Sequence, residues 1–569
     1  MTPRRGTSGS CPGFAWLAAA LALWAAPAAA DVYVDRGSPA ASDENPGTEA
    51  RPLATISRAA ARARPGETVW VRSGTYRESI ALPRSGEGPN ARITIAAAPG
   101  ARVSIKGSDL VSGWIERGGG VWKRAGWRVN SQQVFVDGKP LQQIGVTSPF
   151  NTRSWGGRPI LPPTGRGLSD MPRGSFFHDA GSATLYVRLP DDGDPNAHEL
   201  EASVRDVVIG SGPVSFIELR GLAFSHSNAS ALPAMRGIVN VEGSSWTVTG
   251  CSFTYGDFAG LSILGTGHVI RGNVANHNGD VGITINGSDA AHGWAAYEGL
   301  PAQRIVLEDN ETSDNNYRGF YRYFQAGGLK ACACNGVRIS RHVARANAGP
   351  ALWFDLSCRD VVVEDSTLDA NTRGVEYELS DRGVIARNVV TRSSEQGIYV
   401  SASSDVSVVN NTLDGNRWGI VVHGEPRAEH PELRGNAVWN NIIARSADAD
   451  LVLYRGPGSG GNTSDHNLFG RAGRDVRISW TDGRDYGVTH RDLRRFADES
   501  GLDRHSLVGD PRWADPAAGD YGLRADSPAV RAGRPGAPGR GEPPDLGALG
   551  AEAARRGSVP ATEATRGSR

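Results

Sequence analysis

Methionine is nearly missing from this chain, 3 residues in 569, cysteine is scarce at 5, and neither charge is in surplus, with 61 Lys+Arg against 61 Asp+Glu. Balanced charge without a basic block excludes the electrostatic footprint of a nucleic-acid binder. Beyond the first thirty residues no stretch reaches the roughly eighteen continuous apolar residues that a membrane span needs, so none is expected. What the chain has instead is glycine, 73 residues, together with many Asn, Val and Ile. That mixture suits short strands joined by tight turns better than packed helices, and an all-β fold is expected.

Residues 1–30 read as a secretory signal. Arg4 and Arg5 precede an apolar stretch from Phe14 to Ala26, and Ala28-Ala29-Ala30 supplies a small-residue cleavage site before Asp31. The expected product is secreted, extracellular or periplasmic. Cys11 sits before the apolar run and is followed by Pro12, unlike a lipidated cysteine, and leaves with the signal. The remaining Cys251, Cys332, Cys334 and Cys358 allow one disulfide, Cys334 or Cys332 with Cys358, in an oxidising compartment. One C-x-C with a distant third cysteine is poor spacing for structural zinc.

Residues 31–109 open with VYVD, run through ATISRAAARARPGETVWV and continue as short alternating strands. The middle piece predicts an amphipathic helix ended by Pro65-Gly66. Residues 110–204 break that rhythm with Trp114, Trp122 and Trp127, a Gly/Pro/Arg loop and SFFHDAGSATLYVRLPDDGDPN, which predicts an inserted β-rich, sandwich-like module. Repeats fill 205–475, residues 476–549 read as a terminal cap segment, and residues 550–569 have the composition of a disordered tail.

The repeat carries the fold. Anchors at Gly260, Gly282, Gly328, Ala351, Gly374, Gly397 and Gly419 are separated by 22, 46, 23, 23, 23 and 22 residues, the 46 being one coil with two loops. Each anchor starts a short strand, and side chains alternate faces along a strand. Leu261, Ile283, Leu329, Leu352, Val375, Ile398 and Ile420 then form one inward column, and Ile263, Ile285, Ala331, Phe354, Tyr377, Val400 and Val422 the next. Eight or nine residues before the anchors, Cys251, Asn273, His342, Ser366, Asn388 and Asn411 form a polar ladder at a turn. Coils of about 23 residues predict a parallel β-helix.

The same register puts Ser262, Thr284, Lys330, Trp353, Glu376, Tyr399 and Val421 in one outward column, and Leu264, Asn286, Cys332, Asp355, Glu378, Ser401 and His423 in its neighbour. Both are expected to face solvent. Parallel strands lie about 4.8 Å apart, which sets Asp355 and Glu378 one strand spacing from each other. Retaining glycosidases need two carboxyl groups about 5 to 5.5 Å apart, one attacking the anomeric carbon and one protonating the leaving oxygen. Two acids so close push their titrations apart. Like charges directly opposite also destabilise a sheet, so the pairing calls for a function or a bound cation. Glu376 and Lys330 would tune the pair or hold sugar hydroxyls. Trp353 and Tyr399 flank Glu376 and offer faces for sugar rings. His423, Trp418 and Trp294 are candidate rims, and the Gly-rich interruption with Tyr321, Arg322 and Tyr323 a candidate wall before Lys330.

With those residues placed, residues 31–548 resemble the pectin-lyase-like superfamily of right-handed parallel β-helices. The insertion and the ALWFD and GVEYE strands also resemble β-helix glycosidases interrupted by a β-sandwich, the β-xylosidases of glycoside hydrolase family 120. That resemblance implies Asp355 as nucleophile, Glu378 as acid/base and no cofactor for hydrolysis. The E-x-E spacing resembles as well the calcium cluster of alginate and chondroitin lyases, which implies Lys330 as base with Asp355, Glu376 and Glu378 as Ca²⁺ ligands. The Lys-then-Arg pattern of those lyases is missing downstream, with Arg382 and Arg387 as the candidates for it. A non-catalytic carbohydrate-binding surface protein is the third reading, since fold does not determine function. The expected partner is a polysaccharide or oligosaccharide, bound by a monomer.

Overall fold

The computed structural model describes residues 31–549, except residue 211 and residues 229–235, 289–300, 425–426, 428–431, 472–474 and 536–542. Among the described residues, two sheets of 13 strands start at Val32–Val34 and Gly74–Tyr76, and a third of 11 strands joins them from Gly237 on, so that from there each coil gives a strand to each sheet. All neighbours in these sheets are parallel except the last pair of the 11-stranded sheet, Asp475–Thr481 with His490–Asp492. This is a parallel β-helix.

The predicted register holds at every anchor. Leu261 pairs with Ile283, Ile283 with Leu329, Leu329 with Leu352, Leu352 with Val375, Val375 with Ile398 and Ile398 with Ile420. Both inward columns are buried in one continuous core. The sheet goes on past the last anchor with longer coils, Ile420 pairing with Leu451 and Leu451 with Ile478.

The polar ladder is a hydrogen-bonded stack. The Oδ1 of Asn273 accepts from the Cys251 amide, that of Asn310 from Asn273, that of Asn411 from Asn388 and that of Asn441 from Asn411, at 2.9 to 3.0 Å. A second ladder, which repeat spacing did not reveal, runs Asn278, Asn315, Asn347 and Asn371. In both, the side chain satisfies backbone groups at a turn buried inside the coil.

A helix lies at each end of the coil, the first one predicted by the sequence and the second not. The helix Ile56–Arg62 turns Ile56, Ala59 and Ala60 onto the first coil, with Thr55 capping its start. It stops three residues before Pro65 because Thr68–Val71 is already a strand of the first sheet. At the other end, Phe496 of the helix Leu493–Ser500 plugs the core.

After Lys106 the chain leaves the coil, and it is back in it by Ile209, which bridges Ile80 and Val239, and by Ile217–Arg220, which pairs with Ile93–Ala96. In between it builds a four-stranded and a five-stranded sheet that enclose Val111, Val134, Phe176, Leu185, Val187 and Leu200. Glu201 ties this sandwich to the coil, with Lys106 Nζ at 2.8 Å and Arg77 Nη1 at 2.5 Å.

Candidate functional site

The 11-stranded sheet turns sharply straight after the second outward column. Ala333, Leu356, Leu379 and Ala402 have φ between 43° and 51°, so Cys332, Asp355, Glu378 and Ser401 end at the sheet edge, one per coil. Trp353 pairs with Glu376 in register and Phe354 with Tyr377, and the same register carries Asp355 level with Glu378.

The face is not open to solvent, contrary to expectation. Lys330 is 3% exposed, Asp355 7%, Glu376 2% and Glu378 9%. Loops that the repeat does not predict lie over it. Tyr323 of the wall at 317–326 lies against Arg373, Arg427 reaches Glu378, and Gly483 and Tyr486 lie against His423. Burial changes the electrostatics, because buried charges must be paired.

The cations come from the chain itself. Lys330 Nζ binds Asp355 Oδ2 at 2.7 Å and lies 2.9 Å from the centre of the Trp353 ring. Arg427 Nη2 binds Glu378 Oε1 at 2.6 Å. Arg373 Nη1 binds Glu376 Oε1, and its Nε meets Glu395 Oε2 at 3.0 Å. The Arg373 guanidinium lies between the Tyr323 and Tyr399 rings, 5.2 and 5.1 Å from their centres. The like-charge repulsion expected of stacked carboxylates is thus offset within the protein.

Titration divides the group. Burial works against the charge of Lys330, yet Asp355 beside it holds the ammonium above its ordinary value. Burial raises Glu378, the Asp355 charge raises it further, and Arg427 opposes both. Glu376 is pushed up to about 7 by burial, against the pull of Arg373.

Buried oxygens without a hydrogen-bond partner among the described residues include Asp355 Oδ1 and Glu376 Oε2 in the cluster, both oxygens of Asp280, whose charge Lys330 favours, and, elsewhere in the chain, Gln325 Oε1 and Gln396 Oε1. Burial holds Asp280 well above the usual carboxylate range. Trp353 Nε1, in the same outward column, is a buried donor without a partner. Such a lining, rich in acceptors, suits a ligand that brings many hydroxyl donors.

Residues 236–413 match the family model of the right-handed β-helix region. YwoF of Bacillus subtilis (strain 168), itself uncharacterised, is 21% identical over 507 residues, 86% of this chain and 91% of YwoF. The solved complex of XylC with xylose superposes with a TM-score of 0.63 at 17% identity, covering 85% of this chain and 87% of XylC. A second structure, described as a glycoside hydrolase, gives 0.50 at 13% identity, covering 84% and 97%. The fold is the right-handed parallel β-helix.

On this β-helix the predicted residues fall into three groups. Lys330, Trp353, Asp355, Glu376 and Glu378 come together as described. Tyr399, Tyr323 and Arg322 reach the same cluster through Arg373 and Glu395, with Tyr323 Oη donating to Glu395 Oε1 at 2.6 Å and Arg322 Nη2 2.9 Å from it. Tyr321 lies further out, its ring centre 5.5 Å from that of Tyr323. His423 is packed rather than presented. Its Nε2 is 2.8 Å from the Gly483 carbonyl and its ring sits 4.9 Å from both Tyr454 and Tyr486. Trp294 lies outside the described residues.

Sequence reasoning missed Arg373, Glu395 and Arg427. Arg373 stands one residue before an anchor and Glu395 two before the next, so a wider column search would have found both. Arg427 follows the last anchored strand in a loop and leaves no periodic trace. Arg382 and Arg387, the candidates for the lyase pattern, pair instead with Asp360 and Asp365 on exposed turns. Among the described residues, the one trio with ligand atoms within 4.8 Å of one another is Asp465, His466 and His505, not Asp355, Glu376 and Glu378. The cysteines are thiols, with Cys334 and Cys358 Sγ 3.0 Å apart and Cys332 outside that pair.

Proposed function

We propose that this chain is an exported, monomeric retaining glycoside hydrolase that removes sugars from the end of a chain. The observation that carries the reading is the asymmetry of two adjacent carboxyl groups. Asp355 is fixed through one oxygen by Lys330 and keeps the other unpartnered, as a nucleophile requires. Glu378 on the next coil is raised by burial and by Asp355, as a general acid requires. In the first step Asp355 Oδ1 attacks the anomeric carbon while Glu378 gives its proton to the leaving oxygen. In the second, Glu378 takes a proton from water, which displaces the sugar from Asp355. Glu376 and Asp280 accept hydrogen bonds from sugar hydroxyls.

The burial of Asp355 and Glu378 supports action at chain ends rather than along an open groove. The XylC complex with xylose and the second glycoside hydrolase support the substrate class. The lyase reading needs a neutral Lys330, and Asp355 favours its charged form. Ca²⁺ is likewise disfavoured where each carboxylate already faces Lys330, Arg373 or Arg427.

The test is a panel of dinitrophenyl glycosides and their 2-deoxy-2-fluoro analogues. Turnover should survive chelator, and a fluorosugar should inactivate the enzyme and be found by mass spectrometry on the peptide holding Asp355. Glu378→Gln should lose on the order of 10² to 10⁴ in rate on substrates with poor leaving groups. Chelator-sensitive unsaturated products, lost in Lys330→Ala, would establish the lyase instead.

A further inference from the structure

The sandwich sends a two-stranded hairpin, Ser154–Trp155 against Arg158–Pro159, toward the wall of the site. Gly156 and Gly157 have φ of 55° and 76°, the left-handed pair that a two-residue type I′ turn requires. The root of the hairpin is buried. Phe150, Ile160 and Leu161 pack with Phe258 and Phe320, and the Tyr321 amide donates to the Ile160 carbonyl at 2.7 Å. The tip is therefore held in place relative to the wall at 317–326.

What this rigid tip holds out is Trp155, 51% exposed. A large aromatic kept in water on an ordered hairpin, beside other rings and rimmed by guanidinium groups, has the make-up of a binding surface. The Trp155 ring lies 5.6 Å from Phe324, and the Arg158 guanidinium 5.7 Å over Tyr321. Tyr321 meets Tyr323, and Arg322 lies 4.9 Å over the Tyr323 ring. Tyr323 binds Glu395, Glu395 binds Arg373, and Arg373 binds Glu376. The contacts run without a break from the hairpin tip to the buried carboxylates.

We infer that this ridge is a second sugar-binding site, supplied by the inserted sandwich, for the part of the chain that leaves. Its ligand is an oligosaccharide whose ring faces pack on Trp155 and Tyr321 and whose hydroxyls accept from Arg158 and Arg322. In a hydrolase that removes terminal sugars at the buried carboxylates, the remaining sugars lie outside them, along the wall at 317–326. The inference rests on the hydrolase reading for that polarity alone.

Titration calorimetry on Glu378→Gln, slowed so that its ligand outlasts the titration, tests it with xylo-, cello- and mannohexaose and the matching monosaccharides, with and without Trp155→Ala. At least one hexasaccharide should bind more tightly than its monosaccharide. Trp155→Ala should cut that preference about tenfold while the thermal midpoint stays where it was. A preference that survives the substitution, or none for any hexasaccharide, overturns the site. Trp155-dependent binding by a wild type that cleaves no aryl glycoside would leave the ridge standing and sink the hydrolase.

Discussion

Arg427 and Lys330 both put positive charge beside the carboxyl pair, but in different ways. Lys330 is buried and bound to Asp355, so replacing it also strands a charge in the interior. The Arg427 side chain is 49% exposed and bound to Glu378, which makes it the cleaner probe of the acid. A general acid works only while protonated, so kcat/KM falls as pH rises through the Glu378 titration. Arg427 lowers that titration. In Arg427→Ala the alkaline limb of the pH profile should therefore move to higher pH, with little change in thermal stability. A limb that stays put, or moves down, means that a different group is the acid.

At the scale of the coil, the asparagine ladders hold the turns. Asn347 Oδ1 accepts from the amide and the Nδ2 of Asn315, while its own Nδ2 donates to Thr312 O and Asn371 Oδ1. Asn347→Ala takes the acceptor from the buried Asn315 amide and the side-chain donor from Thr312 O, at roughly 1–3 kcal/mol each, while Asn371 Oδ1 keeps the Asn347 amide and Asn315 Nδ2 keeps Ala275 O. Hydrogen exchange should show lost protection in the strands Val343–Arg345 and Thr367–Asp369, strongest there and fading along the helix as nearest-neighbour coupling dictates. Uniform loss along the whole chain would contradict it. Why one ladder was legible in the sequence and the other was not follows from turn length. Cys251, Asn273, Ser366, Asn388 and Asn411 keep a nearly constant offset to the strand anchors. Asn278, Asn347 and Asn371 stand 4, 4 and 3 residues before theirs, but Asn315 stands 13 before Gly328 because the wall loop intervenes. The same coil hid Asn310.

For the whole molecule, repeat arithmetic showed which side of a strand a residue takes but not what lies above it. The inward columns were legible because a period fixes them. The cover over Lys330, Asp355, Glu376 and Glu378 comes from segments such as 317–326 and 483–486, which follow no period. That cover makes stability depend on pH. Glu376 is pushed up to about 7 from its ordinary 4.5, first by burial and then by the Glu378 charge, against Arg373. An acid whose folded value is raised contributes stability that is fully present below about 4.5 and is lost as pH rises through about 7. Glu376→Gln removes the titration. The stability of the wild type relative to this variant, from urea unfolding, should therefore fall between pH 4.5 and 8, by on the order of 3 kcal/mol. A difference that grows with pH would mean that Arg373 holds Glu376 as an anion throughout, and that the loops do not dry the site.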